Sequence, residues 1–196
     1  MSFWDIFRKK KSSNPPLTQV DFVKLWANCS LDQNRIIDIK SVCAIIRAGM
    51  PAYQLAEART GVPWWFIGAL HYREASCDFK AYLGNGERII GKGLKSKLVP
   101  KNRGPFNNWV DGAVDALVYD GLNTIKVWDV PTCLAQAEKF NGMGYRKTGE
   151  LSPYVWAGTN QHDETGKYVA DGKYSSTAIE KQLGVAAIIK GLLDNL

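Results

Sequence analysis

Apolar residues recur every three or four positions along the first third of the chain, the spacing that places them on one face of an α-helix. The pattern predicts a helix that begins near Thr18, a second that contains residues 36–46, and a short third one over residues 53–58. The second helix should stop at residues 49–51, where a proline cannot continue it. The third should end at Gly61, which suits a left-handed cap.

A fourth predicted helix, residues 63–76, is apolar and aromatic but carries a carboxylate on its apolar side. Ile67, Leu70 and Glu74 project from one face because they are spaced at helical intervals. Burying an ionised carboxylate is costly, so desolvation should raise the pKa of Glu74 and suit it to act as a general acid near neutral pH. The alternative is a structural glutamate that forms an internal ion pair with Arg73 or with a lysine from elsewhere.

Residues 79–106 break the helical pattern. They are rich in glycine, and short apolar runs follow Asn85-Gly86, a dipeptide typical of tight turns. We interpret this segment as a small β-hairpin lobe. Glu87 follows the turn and is either a functional carboxylate of the lobe or a polar residue on a solvated loop.

The second half of the chain returns to helical spacing. Helices are predicted over residues 109–119 and 131–140, and a second hairpin is predicted around Asp171-Gly172. The last helix should begin within residues 175–180, where a threonine and a glutamate have the spacing of a capping box.

Together these elements predict an α+β protein, mostly α, with a helical body and a small β-hairpin lobe in one domain over residues 18–196. Residues 1–17 are expected to form a flexible basic tail. In that tail aromatic and apolar residues precede the basic run at residues 8–11, so the alternative is a short amphipathic segment in weak contact with a membrane surface.

Composition and charge narrow the range of functions. Of the 196 residues, 45% are hydrophobic and 22% are charged, as in soluble globular proteins. The net charge of +6 favours an anionic partner such as nucleic acid, a membrane surface or a cell wall. Nucleic-acid binding is disfavoured, since no motif for it occurs and the basic residues form no stripe interleaved with aromatic residues. Without a secretory signal or a membrane-span run, a target outside the cytoplasm would require another means of delivery.

Cysteine and histidine positions give no indication of a metal or cofactor site. The four cysteines are far apart and form no CxxC pair, so we expect free, mostly buried thiols. His71 lies one turn before Glu74 and is expected to be a satisfied core residue, with tuning of Glu74 as the alternative. His162 lies in a polar stretch and receives no role. We expect no metal and no cofactor.

Six segments, taken in order, resemble a group of bacterial and phage muramidases of the lysozyme superfamily, and the resemblance runs from about Thr18 to the C-terminus. The segments are residues 61–65, 71–79, 83–87, 140–145, 152–156 and 166–172.

The resemblance implies a lysozyme-like fold and hydrolysis of the β-1,4 bond between N-acetylmuramic acid and N-acetylglucosamine in peptidoglycan glycan strands. Glu74 matches the family's catalytic glutamate, although Ala75-Ser76 stands where relatives often have two small polar residues. The chain is expected to act as a monomer on the cell wall, after phage-endolysin-type release or unconventional export. The residues expected to bind the glycan are Asn85, Asn141, Tyr145 and Tyr154.

The second catalytic group stays open at this point. Glu87 on the lobe is the candidate, and Asp78 lies one turn beyond Glu74. Carboxyl groups about 5 Å apart would indicate a retaining hydrolase, and a separation of about 6.5–9.5 Å an inverting one. If neither carboxylate reaches the sugar, the alternatives are water held by a polar side chain or lytic transglycosylation. A non-catalytic wall-binding module is a further alternative.

Overall fold

The computed structural model describes residue 17, residues 19–170 and residues 172–196. Over these residues helices dominate, and the strands form one antiparallel two-stranded sheet. The predicted class, α+β and mostly α, is therefore confirmed. The α-helices are α1 Phe22–Ala27, α2 Ile36–Ala48, α3 Met50–Thr60, α4 Trp64–Ala75, α5 Trp109–Tyr119, α6 Val130–Asn141, α7 Pro153–Trp156 and α8 Val185–Leu193. The strands are β1 Thr165–Ala170 and β2 Lys173–Ile179, and short 3-10 helices occur at Gln33–Arg35, Leu122–Thr124 and Met143–Thr148.

Local capping residues set several helix ends at the predicted places. Gly61 caps α3 with a φ of 75°, a left-handed conformation that glycine adopts without strain. Helix α5 begins after Asn108, whose side chain accepts the backbone N–H of Asp111, and α6 begins after Asp129 in the same way. The predicted ends at residues 49–51, at Gly61 and at 109–119 are confirmed.

Helix α4 lies at the centre of the helical body. It packs against α2, α3 and α8, and its residues 66–71 are all buried. Gly68 allows the close approach of α2, because a Cβ at that position would lie 2.5 Å from Cγ2 of Ile46. The end of this central helix is consequently held in a fixed place relative to its neighbours.

His71 is a polar residue inside this core, and both of its ring nitrogens are bonded. Its Nε2 lies 3.2 Å from the carbonyl oxygen of Asp78, and its Nδ1 lies 3.0 Å from the hydroxyl of Tyr53. A carbonyl only accepts, so Nε2 carries the proton and Nδ1 accepts from Tyr53. Burial lowers the pKa of His71 to about 4, and the Asp78 carbonyl opposes that shift. The expectation of a satisfied core histidine is confirmed.

The prediction of a β-hairpin over residues 79–106 is wrong. These residues form turns and no strand, although the tight turn at Asn85-Gly86 does occur. Several glycines have a positive φ, which breaks a strand ladder. The backbone N–H groups of Lys97 and Leu98 donate to the Glu87 carboxylate, where a strand would pair them with another strand. We call residues 79–106 the turn-rich lobe.

The second predicted hairpin is confirmed, whereas the start of the last helix is not. Strands β1 and β2 pair through Tyr168 and Tyr174, and Gly172 in their turn has a φ of 66°. Asp171 lies outside the described residues. Residues 173–179 form β2, and α8 begins only at Val185, because pairing with β1 overrides the local capping-box spacing.

The four cysteines are buried and unpaired, as predicted. The proposed tail, residues 1–17, lies outside the described residues except for Leu17, whose N–H donates to the carbonyl of Arg146. Within the described part of the chain, no helix has the length and apolar character to cross a membrane.

A first prediction concerns the pH dependence of stability. Unfolded His71 takes up a proton below its ordinary pKa of 6.5, whereas in the folded protein it does so only near pH 4. The unfolded state therefore binds more protons in this interval, so the unfolding free energy falls as pH drops from 6.5 to about 4, by about 3 kcal/mol from this residue. Denaturant unfolding of the wild type and of His71→Gln at several pH values measures the difference. Equal slopes in the two proteins would contradict the assignment.

Candidate active site

Glu74 occupies the last turn of α4, which ends because Ser76 and Cys77 both adopt left-handed backbone angles. Its side chain is half-buried, and Oε1 accepts a hydrogen bond of 2.8 Å from the hydroxyl of Tyr154. Burial raises the pKa of Glu74, while the Tyr154 hydrogen bond and the charge of Arg73 oppose the rise. A carboxyl with a raised pKa keeps its proton to higher pH, which is what a proton donor requires.

Tyr154 is only 4% exposed, so it reaches Glu74 from inside the protein. Glycan binding by Tyr154 stays a prediction, and the structure shows this tyrosine as a buried hydrogen-bond donor to the Glu74 carboxyl. Burial and the charge of Glu74 raise the pKa of Tyr154 well above its ordinary value. Its hydroxyl consequently remains a donor to Glu74 over the working pH range.

Arg73 forms its ion pair with Glu180 and not with Glu74, as it would if Glu74 were a structural glutamate paired with Arg73. Its side chain is 7% exposed and lies nearest to the carboxylate of Glu180, at 3.8 Å. One terminal nitrogen donates to the carbonyl of Leu183, and the guanidinium covers the Tyr154 ring at 4.6 Å. Its Nε is buried without a hydrogen-bond partner among the described residues. Arg73 therefore packs on the Tyr154 ring, and the hydrogen bond to the Glu74 carboxyl comes from Tyr154.

Asp120 is an acidic residue that influences Glu74 and that the sequence pattern did not single out. It follows the last residue of α5, and its negative charge adds to the burial that raises the pKa of Glu74 and of Tyr154. Partial desolvation raises the pKa of Asp120 itself. A carboxylate at the carboxyl end of a helix opposes the helix dipole. That locally unfavourable placement was the signal that could have drawn attention to it.

The turn at Asn85-Gly86 lies directly against the backbone of Glu74. A Cβ on Gly86 would lie 2.6 Å from the carbonyl oxygen of Glu74, so glycine is needed both for this approach and for its φ of 72°. Two further contacts tie the turn-rich lobe to α5, since Tyr82 and Arg103 both bond the carboxylate of Asp115. The lobe thus lies beside the end of α4 that carries Glu74.

The predicted functional side chains of the lobe are engaged within it. Asn85 accepts the N–H of Glu87 at 3.1 Å and donates to the carbonyl of Leu98 at 3.3 Å. Glu87 accepts the N–H groups of Lys97 and Leu98 at 2.8 and 3.0 Å. Asp78 forms an ion pair with Arg88 at 2.9 Å. A catalytic role for Glu87 and substrate binding by Asn85 stay predictions, and the structure gives both residues a role in holding the lobe.

A hollow of about 620 Å³ lies on another side of Arg73, between the β1–β2 hairpin and the segment that follows α6. Asn141 and Tyr145, both predicted to bind substrate, line it together with Arg73. Tyr145 is buried against Tyr168, whose N–H donates to the Tyr145 hydroxyl at 3.1 Å. Asn141 is exposed and its side chain is available to a ligand. Glu74 does not line this hollow, but the preceding residue Arg73 does, so the hollow lies beside the end of α4.

Comparison of the chain with protein-family models, with curated proteins and with solved structures gives no match.

The volume of the hollow beside Arg73 does not distinguish it, since another hollow of about 770 Å³ lies between α1 and residues 149–165. None of the predicted site residues lines it. Within the residues that the structure describes, no group of three or more histidine, cysteine, aspartate or glutamate side chains is placed to hold a metal ion. The chemistry near Glu74 is that of a carboxyl, a tyrosine hydroxyl and an arginine.

A second prediction separates the two influences on Glu74. Tyr154→Phe removes a hydrogen bond that favours the carboxylate, so the pKa of Glu74 should rise further. Asp120→Asn removes a neighbouring negative charge, so the pKa of Glu74 should fall. Carbon-detected NMR titration of the side-chain carboxyls measures both, with Glu74→Gln to assign the resonance. Shifts in the same direction in both variants would disprove this arrangement.

Proposed function

We propose that the chain is a glycosidase that cleaves the β-1,4 bond between N-acetylmuramic acid and N-acetylglucosamine in peptidoglycan, with Glu74 as the general acid. The observation that carries the proposal is the state of Glu74: a half-buried carboxyl with a raised pKa, oriented by the buried Tyr154. The turn at Gly86 lies on one side of it, and a hollow lined by Asn141 lies nearby.

The spatial convergence of the segments that resemble muramidases supports a lysozyme-like fold. Residues 71–79 end α4, residues 83–87 contain the turn against Glu74, and residues 152–156 contain the tyrosine that bonds it. Residues 140–145 and 166–170 meet through Tyr145 and Tyr168 and border the hollow beside Arg73. Segments far apart in the sequence thus gather around one helix end, as the parts of a shared site would.

In the proposed reaction, protonated Glu74 gives its proton to the leaving glycosidic oxygen as the bond breaks. The carboxylate that remains is stabilised by the Tyr154 hydroxyl and by the nearby charge of Arg73. Asp120 joins Glu87 as a candidate for the second group, and its charge acts on Glu74 through space. A carboxylate there would stabilise positive charge on the sugar ring or activate water.

The positive charge of the chain suits the substrate. The hollow beside Arg73 also contains Lys147, Lys167 and Glu180, which leaves it with more positive than negative side chains. Peptidoglycan carries carboxylates on its muramic acid peptides, and such a surface attracts them.

A third prediction tests catalysis with purified peptidoglycan. Glu74→Gln should lower the rate of glycan cleavage by about 10²–10⁴-fold, because an amide has no acidic proton to give. Glu57→Gln on α3, a half-buried glutamate away from α4's end, is the matched control and should cleave as the wild type does.

Mass spectrometry of the digest identifies the bond that is cut and the class of enzyme. New reducing ends indicate hydrolysis, and anhydro sugars indicate lytic transglycosylation with the same acid. A Glu74→Gln protein that cleaves at the wild-type rate would refute the proposal. If the wild type releases neither product but binds the polymer, a wall-binding module is the correct function.

A further inference from the structure

The outer part of the turn-rich lobe, residues 91–102, has an unusual composition for so short a segment. We call it the lobe tip. It contains four lysines and no aspartate or glutamate. Its three large apolar side chains are all exposed. They are Leu94 at 51%, Leu98 at 56% and Val99 at 76%.

The backbone of the lobe tip is fixed by hydrogen bonds around Ser96, which is buried. The Ser96 N–H donates to the carbonyl of Arg103 at 2.9 Å, and its hydroxyl donates to the carbonyl of Pro100 at 2.6 Å. The Glu87 carboxylate accepts the N–H groups of the next two residues, Lys97 and Leu98. The exposed side chains of Leu94, Leu98 and Val99 therefore lie on a loop whose backbone is held by hydrogen bonds.

The lysines of the lobe tip are free to meet an external partner. None of the four forms an ion pair with the residues that the structure describes. Two acidic side chains that contact the lobe have other partners, since Glu87 accepts backbone N–H groups and Asp115 pairs with Arg103. The four lysines are Lys92, Lys95, Lys97 and Lys101.

We propose that the lobe tip docks on an anionic lipid bilayer, with Leu98 and Val99 entering the headgroup region and the lysines contacting acidic headgroups. Membrane-surface segments combine these two features, apolar area and basic charge. Nucleic acids and anionic wall polymers attract lysines equally well but offer little to exposed leucine and valine. The apolar pair therefore favours the bilayer.

Docking in this way would fix the site relative to the membrane. The carbonyl of Leu98 accepts from Asn85, and Gly86, the next residue, lies against the backbone of Glu74. Glu74 would then face glycan strands close to the membrane surface. The docking itself does not depend on the proposed catalysis, and it is measured separately.

A fourth prediction uses sedimentation of the full chain with vesicles of phosphatidylcholine alone or mixed with phosphatidylglycerol. The wild type should bind the mixed vesicles and not the neutral ones, and added salt should weaken binding. Lys95→Ser/Lys97→Ser should weaken binding by about 25-fold, or about fivefold for each lysine. Leu98→Ser/Val99→Ser should weaken it by about tenfold or more.

Matched control variants carry the same changes elsewhere on the surface. Ile37→Ser/Val127→Ser removes apolar side chains that are 82% and 68% exposed, and Lys40→Ser/Lys126→Ser removes exposed lysines. Both should bind as the wild type does. Circular dichroism confirms that each variant is folded.

Three results would overturn the proposal. The first is the absence of wild-type binding to mixed vesicles. The second is wild-type binding by both lobe-tip variants, which would assign the contact to another part of the chain. The third is a loss of binding in the lysine variant alone, which would show an electrostatic contact with the headgroups and no entry of Leu98 and Val99 into the bilayer.

Discussion

The hydrogen bond between Tyr154 and Glu74 joins α7 to the last turn of α4, two parts of the chain that lie 80 residues apart. The Tyr154 hydroxyl is buried and the Glu74 carboxyl is half-buried, and a buried polar group without a partner is costly. Arg73 covers the tyrosine ring and is itself held by Glu180 and by the carbonyl of Leu183. This polar contact therefore organises α4, α7 and the segment between β2 and α8 around a single carboxyl.

Helices could be predicted where their signals are local. Apolar spacing and capping residues determine α5 and the ends of α2 and α3, and both are visible in the sequence. The turn-rich lobe and β2 depend on distant partners. Glu87 bonds backbone groups ten residues and more ahead, and β2 exists because β1 pairs with it, which overrides the helix-capping spacing at Thr177. Contacts between distant residues leave no periodic pattern in the sequence, so they could not be predicted.

The candidate site was likewise predictable only where its signals are local. Glu74 follows from its position on an apolar helix face. Tyr154 was placed in the site, but its approach from the buried side depends on how α7 packs, which the sequence pattern does not encode. Asp120 was missed because its charge acts on the pKa of Glu74 across the fold, which residue spacing cannot express. The bonds of Asn85 and Glu87 inside the lobe could not be predicted either, because their partners are set by how the lobe folds.

The engagement of Asn85 and Glu87 changes how the turn-rich lobe should be understood. Their hydrogen bonds, together with the contacts of Tyr82 and Arg103 to Asp115, tie the lobe to itself and to α5. At Gly86 the lobe meets the backbone of Glu74 so closely that only glycine fits. The lobe is thus held by bonds to Asp115 on α5 and by its close contact with α4 at Gly86. A surface that binds the outer part of the lobe would consequently set the orientation of the Glu74 carboxyl relative to that surface. The bonds that hold the lobe therefore determine both the geometry around Glu74 and the way the carboxyl faces.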